Sequence, residues 1–246
     1  MQMMAESTDA PRPRPSSTVV LVRDGSAAPE IFMVKRHRLS SFGSAYAFPG
    51  GVIEAADRNV HDLCTGLSPA DANRLLDLES GGLDYFSAAL RELFEESGVL
   101  LCDSQLSEQQ LEQARTALND GSLGWDDFTH DNQLSLPCDR LHYFSFWITP
   151  KDQPKRYSTR FFLAAFPKGQ SATHCGGELT DSSWMPAREI LDASSTGAMR
   201  IILPTRKTLE RIAEFDSVTS ICAWAERCAE NGVCCVEPAF AREATP

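Results

Sequence analysis

The segment Arg91-Glu92-Leu93-Phe94-Glu95-Glu96 gathers three carboxylates and a guanidinium into six consecutive positions. On a helix turning about 100° per residue, Glu92, Glu95 and Glu96 fall on one face and Leu90, Leu93 and Phe94 on the other. Acids one turn apart repel by a few tenths of a kcal/mol in water, and by more in a cleft. A divalent cation reverses that repulsion, and a set of hard oxygen donors suits Mg2+ or Mn2+. Taken alone, the hexapeptide reads more readily as an ordinary solvated helix face. Its surroundings decide between the two.

Upstream stands Phe48-Pro49-Gly50-Gly51-Val52-Ile53-Glu54-Ala55-Ala56-Asp57, and downstream Gly98-Val99 closes the helix. Together these residues resemble the Nudix box, G-x5-E-x7-R-E-U-x-E-E-x-G-U with U aliphatic. Gly51 opens the match, Asp57 stands where the family has Glu, and Arg91 to Val99 fit throughout. The spacer between the halves, residues 58–90, is about 26 residues longer than the family's. A similar interruption occurs in the branch that looks like the coenzyme A diphosphatases, whose Phe-Pro-Gly-Gly and Ala-Ala-Asp elements are shared here.

By that resemblance Glu95 and Glu96 are metal ligands, Glu92 is a ligand or the general base, and the Gly50 carbonyl adds an oxygen. Arg91 orients the carboxylates, and Glu178, in Cys175-Gly-Gly-Glu178, is a late acid that binds metal or serves as base. The implied cofactor is Mg2+ or Mn2+, which lowers the pKa of bound water and neutralises charge growing on a diphosphate. The implied substrate is a nucleoside diphosphate derivative, coenzyme A or an acyl-coenzyme A first, with ADP-ribose or a dinucleotide as the alternative. A Nudix-fold module that binds nucleotide without cleaving it is the reading from another class. The intact acid pairs argue against it, since a degenerate module is expected to lose them.

Other residues are weaker candidates. Lys35, Arg36 and Arg38 follow one expected strand, and Lys155, Arg156 and Arg160 flank another. Arg36 and Arg160 are assigned to substrate phosphates, because an acidic protein needs a local positive field for an anion. Glu54 and Asp57 fix the loop and Arg91. Phe42, Tyr46 and Trp147 are candidates for stacking on a base, though aromatic residues near strands are more often core. The five histidines show no zinc spacing.

The elements that must position these residues are legible from pattern. Residues 1–17 are expected as a disordered tail, with the prolines of 10–15 keeping the chain extended. Strands are expected at 18–22 and 31–34 around Asp24-Gly25, then at 45–48 running into a turning loop at Pro49-Gly50-Gly51. An insertion at 58–86 holds a short helix over 68–78, capped by Ser68 with Pro69 at its first position. The carboxylate helix covers 87–97, stopped by Gly98, before an apolar strand at 99–101. A helix over 107–118, a polar loop over 125–141, and strands at 143–149, 159–166 and 182–185 follow. Helices at 187–193, 205–215 and 218–228 complete the chain. The resulting class is α/β (α+β), a Nudix-type α/β/α sandwich with a mixed sheet and helical insertions. Residues 18–240 form one domain, with 197–240 packed on its core.

Composition sets the outer limits. A net charge of −11 argues against broad nucleic-acid binding, which needs a basic surface. No apolar run approaches a membrane span or a secretory signal. The eight cysteines lack paired spacing, so they read as small hydrophobes in a reducing cytoplasm. The expected partner is the small-molecule substrate, with no nucleic acid and no membrane. Sequence leaves monomer and homodimer open.

Overall fold

Val19, Val20, Leu21 and Val22 are consecutive and all 0% exposed, which requires apolar layers on both faces of their sheet. The structure, a computed structural model, describes residues 10–37, 44–176 and 179–239. Its strands are β1 (Arg14–Arg23), β2 (Glu30–Arg36), β3 (Tyr46–Ala47), β4 (Gly50–Val52), β5 (Cys64–Thr65), β6 (Leu136–Pro137), β7 (His142–Ile148), β8 (Tyr157–Ala165), β9 (Leu179–Pro186) and β10 (Cys235–Val236). Its helices are α1 (Pro69–Leu75), α2 (Gly82–Ser97), α3 (Glu108–Asn119), α4 (Trp125–Asp131), α5 (Ala187–Ser195), α6 (Leu203–Ile212) and α7 (Val218–Glu230).

The main sheet is mixed and runs β10-β7-β8-β1-β2-β3, with β4 also on β1 and β9 also on β2. Side chains alternate across it. Val19, Leu21, Phe32, Val34 and Phe162 enter the core under α2, while Val20, Val22, Ile31, Met33 and Phe161 enter the one under α6 and α7. The expected α/β/α sandwich is therefore observed. β1 is its axis. One edge of β1 pairs with β8 in parallel from Arg14 to Val22, and the other is divided between β4 at residues 16–18 and β2 at residues 22–23. Where β4 and β2 diverge the sheet splays open.

Several sequence expectations are corrected. β1 begins at Arg14, so the disordered tail does not reach residue 17; pairing with β8 overrides the prolines, and Ser16 and Ser17 are buried. Gly50-Gly51 is a strand on β1 and not a turning loop, because Thr18 and Ser17 lie opposite it. Residues 99–101 are not a strand: the Gln170 side chain hydrogen-bonds both the Leu100 N–H and the Leu100 carbonyl, in place of a strand neighbour. The loop expected at 125–141 contains α4, whose Trp125 and Phe128 are buried against Phe94 and its neighbours.

α2 is 16 residues long, five longer at its start than pattern suggested, and all but Glu95 are buried. Gly82 permits that extension: a Cβ there would lie 2.6 Å from the Ala72 carbonyl carbon, so α1 packs directly on the α2 backbone. Gly98 ends the helix in the left-handed conformation, φ 75°, as expected. Leu93 of α2 lies fully buried in the core that α2 shares with β1 and β2. Leu93→Ala is expected to cost about 2–5 kcal/mol of stability, by loss of burial and by the cavity left. Urea denaturation measures it, and a loss below 1 kcal/mol would contradict the central packing assigned to α2.

Candidate active site

Arg91 is 3% exposed and carries the most hydrogen bonds of the α2 face. Its Nε and Nη2 donate to the two oxygens of Asp57 at 3.0 and 3.1 Å, a two-pronged pairing. Nη1 donates to Glu92 Oε1 at 2.9 Å and to Glu95 Oε2 at 3.0 Å, and Nη2 also reaches the Val52 carbonyl at 2.8 Å. Burial alone would lower its pKa, but the charges of Glu92, Asp57 and Glu95 hold it above the ordinary value. The guanidinium stays charged.

Asp57 is fully buried on a short 3-10 turn, Ala56–Arg58. Its carboxylate also accepts from the Glu54 N–H at 2.8 Å and the Ser87 hydroxyl at 3.4 Å, and the Trp125 indole N–H donates to that hydroxyl at 3.1 Å. Sequence reasoning missed Ser87 and Trp125. An isolated tryptophan in a polar stretch was the available signal.

The glutamates lie deeper than a solvated face allows, with Glu92 9% and Glu96 6% exposed. Glu96 Oε2 accepts the Gly50 N–H at 2.9 Å, which ties α2 to β4. Gly51 passes so close that a Cβ on it would lie 2.2 Å from Glu92 Oε1. Burial pushes the Glu92 carboxyl above its ordinary range, with Arg91 opposing. Burial likewise pushes Glu95 up to about 7, with Arg91 opposing and Glu92 adding to the rise.

Arg36 ends β2 at a register shift against β9, which aims it into the splayed region. Its Nη2 donates to the Gly50 carbonyl at 2.7 Å and stands 3.9 Å from Glu96 Oε1. Arg160 is not brought to the site. It is 4% exposed on the other side of β8, 4.3 Å from the ring centres of both Tyr85 and Phe146, with Nη2 donating to the Leu76 carbonyl at 2.9 Å. Alternation along the strand decides this: Phe161 faces the cleft and Arg160 cannot. Arg156 is also structural, bonded to Glu237, Thr149 and Pro11. Glu178, Arg38 and Phe42 lie outside the described residues.

These groups open on a cleft of about 1310 Å³ between the C-terminal half of α2, the splayed sheet and the α5–α6 connection. Its donors near α2 are all oxygens, as hard cations prefer. Burial and like charge raise the Glu92 and Glu95 carboxyls against the opposing pull of Arg91, and a cation would relieve that load further. Among the described residues, however, no three His, Cys, Asp or Glu side chains converge as a ready-made metal cage. Arg91 and Arg36 neutralise the acids instead.

A crystal structure of a NUDIX hydrolase from Alicyclobacillus acidocaldarius superposes with a TM-score of 0.68, covering 86% of this chain and 96% of that one at 23% identity. This chain shares the fold of that NUDIX hydrolase. The recognition made from the box is further borne out by sequence relatives. The Caenorhabditis elegans protein named nudix hydrolase 7 is 26% identical over 187 residues, 75% of this chain and 56% of that protein. The Xenopus laevis acyl-coenzyme A diphosphatase NUDT19 is 23% identical over 238 residues, 78% of this chain and 62% of that protein. The chain thus spans about three-fifths of the length of these curated relatives. No protein-family model matches it. No helix of the described residues is long and apolar enough to cross a membrane.

Two outcomes follow from this geometry. Gly51→Ala is expected to displace the Glu92 carboxylate and loosen its bond to Arg91 Nη1, at a cost of about 1–3 kcal/mol of stability. Turnover measured beside thermal denaturation should fall about 100-fold. The second concerns pH. Glu95 holds its proton to about 7 in the ion-free fold against 4.5 ordinarily, so between those values the native state binds the extra proton and stability falls as pH rises. The fall is up to about 3 kcal/mol. Denaturation midpoints in chelator at acid and neutral pH read it; an equal slope in Glu95→Gln would contradict the assignment.

Proposed function

We propose that this chain is a divalent-metal-dependent diphosphatase acting on a nucleoside diphosphate derivative, with coenzyme A or an acyl-coenzyme A as substrate. The observation that carries the reading is the stack of Glu92, Glu95 and Glu96 on α2, packed against Gly50 and Gly51 and opening on a cleft large enough for an extended ligand. The acyl-coenzyme A choice is supported by the Xenopus relative.

Glu95, Glu96 and Glu92 would hold Mg2+ or Mn2+, with the Gly50 carbonyl as a further oxygen. When bound, the ion supplies an activated water and neutralises charge on the diphosphate. Arg91 keeps Glu92 and Glu95 in fixed rotamers. Arg36, already at the mouth beside Gly50, binds a substrate phosphate in the forked manner of a guanidinium. Glu92, whose raised pKa makes it a better proton acceptor, or Glu178 takes the proton of the attacking water. Arg160 has no part in substrate binding.

Hydrolysis of coenzyme A to adenosine 3′,5′-bisphosphate and 4′-phosphopantetheine should vanish with EDTA and return with Mg2+ or Mn2+. Glu95→Gln and Glu96→Gln should each lower turnover at least ~100-fold with the fold retained, because each removes a charged ligand. Product release followed by chromatography, with ADP-ribose run in parallel, is the measurement. Full activity after exhaustive chelation would overturn the proposal.

A further inference from the structure

The insertion between Asp57 and Arg91 brings together two thiols that the candidate active site does not use. Cys64 opens β5, and Cys138 follows β6 at the start of the 3-10 turn Cys138–Arg140. The two short strands pair in parallel, with Cys64 opposite Leu136 and Thr65 opposite Pro137. Alternation along a strand sets Cys138 on the face that Leu136 and Cys64 share. The pairing is tight. Thr65 Oγ1 lies 3.1 Å from Ser135 Oγ and donates to the Leu136 carbonyl at 3.4 Å. A Cβ on Gly66 would lie 2.2 Å from the carboxyl carbon of Asp139, so the chain after β6 turns in against β5. That turn brings the Cys64 and Cys138 sulfurs into hydrogen-bond contact, and both are free thiols.

The two differ in environment. Cys64 is half-buried, whereas Cys138 is 0% exposed. The Cys138 thiol, donating to the Cys64 sulfur, holds Cys64 below the ordinary thiol range against the opposing effect of burial. The same contact, with burial, pushes Cys138 up. Burial also moves Cys102, Cys222, Cys228 and Cys235 upward. A reachable thiolate touching a thiol that keeps its proton is the arrangement of an attacking and a resolving cysteine.

We propose that Cys64 and Cys138 form a redox-sensitive dithiol, closed to a disulfide by a peroxide and reopened by a small thiol. The Cys64 thiolate attacks one peroxide oxygen, the O–O bond breaks, and hydroxide leaves and takes up the proton that Cys64 had released. The Cys138 sulfur then attacks the sulfenic sulfur, the S–O bond breaks, and water leaves with the Cys138 proton. Two thiols are thereby oxidised and the peroxide is reduced to two waters. Two equivalents of a small thiol restore the pair and leave as their own disulfide. The bridge ties the first strand of the insertion to the segment that follows α4. Both flank Asp57, which lies on the turn before β5 and is reached by Trp125 of α4 through the Ser87 hydroxyl. The closed loop, residues 64–138, contains all of α2, so the cross-link restricts much of the unfolded chain.

The test treats the full chain with a small excess of hydrogen peroxide, maps its peptides without reduction, and follows thermal unfolding. Expected are a peptide pair joined through Cys64 and Cys138 and a Tm raised by about 5–10 °C. Dithiothreitol should reverse both. Cys64→Ser, at a half-buried position, should lose the cross-link and the Tm shift together. Cys138→Ser should leave Cys64 as a sulfenic acid that dimedone captures, a species the wild type does not accumulate. If Cys138→Ser fails to fold, the wild-type peptide map and Cys64→Ser still decide. Cys64 left unoxidised, carried on to a sulfinic acid beside a reduced Cys138, or joined to another cysteine would overturn the pair. So would a bridge that lowers Tm, because the native fold would then have to distort to make it. None of these readouts depends on the diphosphatase activity.

Discussion

Burying Arg91 costs several kcal/mol of hydration, which a guanidinium recovers only if nearly every donor finds an anionic or carbonyl oxygen in good geometry. Much of the local architecture satisfies that demand. Asp57 must be held beneath α2 by its short turn, β4 must present the Val52 carbonyl, and Glu92 and Glu95 must turn toward Arg91. Removing an acceptor leaves the buried guanidinium less well satisfied, so the acids are positioned by the same bonds that make Arg91 tolerable. Function and stability are coupled there.

The cationic clamp also explains how three carboxylates coexist on a helix that is almost wholly buried. Glu92 and Glu95 are under electrostatic load, with raised pKa values, and Glu96 is relieved by the Gly50 N–H. β4 can pass beside the Glu92 carboxylate only because Gly51 lacks a side chain, since a Cβ there would lie 2.2 Å from Glu92 Oε1, and it can pair closely with Ser17 and Thr18 of β1 because Gly50 lacks one. Glycine here serves close approach. The splay of β1 between β4 and β2 then admits Arg36, so sheet geometry sets the local charge balance.

Sequence pattern reached the elements whose signals are local. The α2 face, the Gly98 stop, the Ser68 cap and the alternating strands were legible because periodicity, capping and positive φ are properties of a few neighbouring residues. What was not legible depended on distant pairing. The strand at residue 14 exists because β8 lies beside it, and α4 is buried by Phe94, 34 residues away from Phe128. For the site, the Arg91 and glutamate cluster was readable from spacing. The direction in which Arg160 points was not, since β8 carries apolar residues on both faces and gives no alternation to read.

Arg160 also shows how a long insertion is accommodated inside a motif that needs a fixed geometry. Residues 58–90 separate Asp57 from Arg91, yet the two meet at hydrogen-bond distance. Both ends of the excursion are therefore anchored near one another, and its interior is fixed at intervals. Asn73 accepts from the Gly82 N–H at 2.7 Å, β5 pairs with β6, and Arg160 takes the Leu76 carbonyl while lying between Tyr85 and Phe146. Loop-closure entropy grows only slowly with length, so an insertion of this size is cheap once such contacts order it. A guanidinium suits that task better than an ammonium, because its flat faces stack on aromatic rings while its edge donates hydrogen bonds. The arginine thus holds the C-terminal end of α1, the helix that packs on the start of α2.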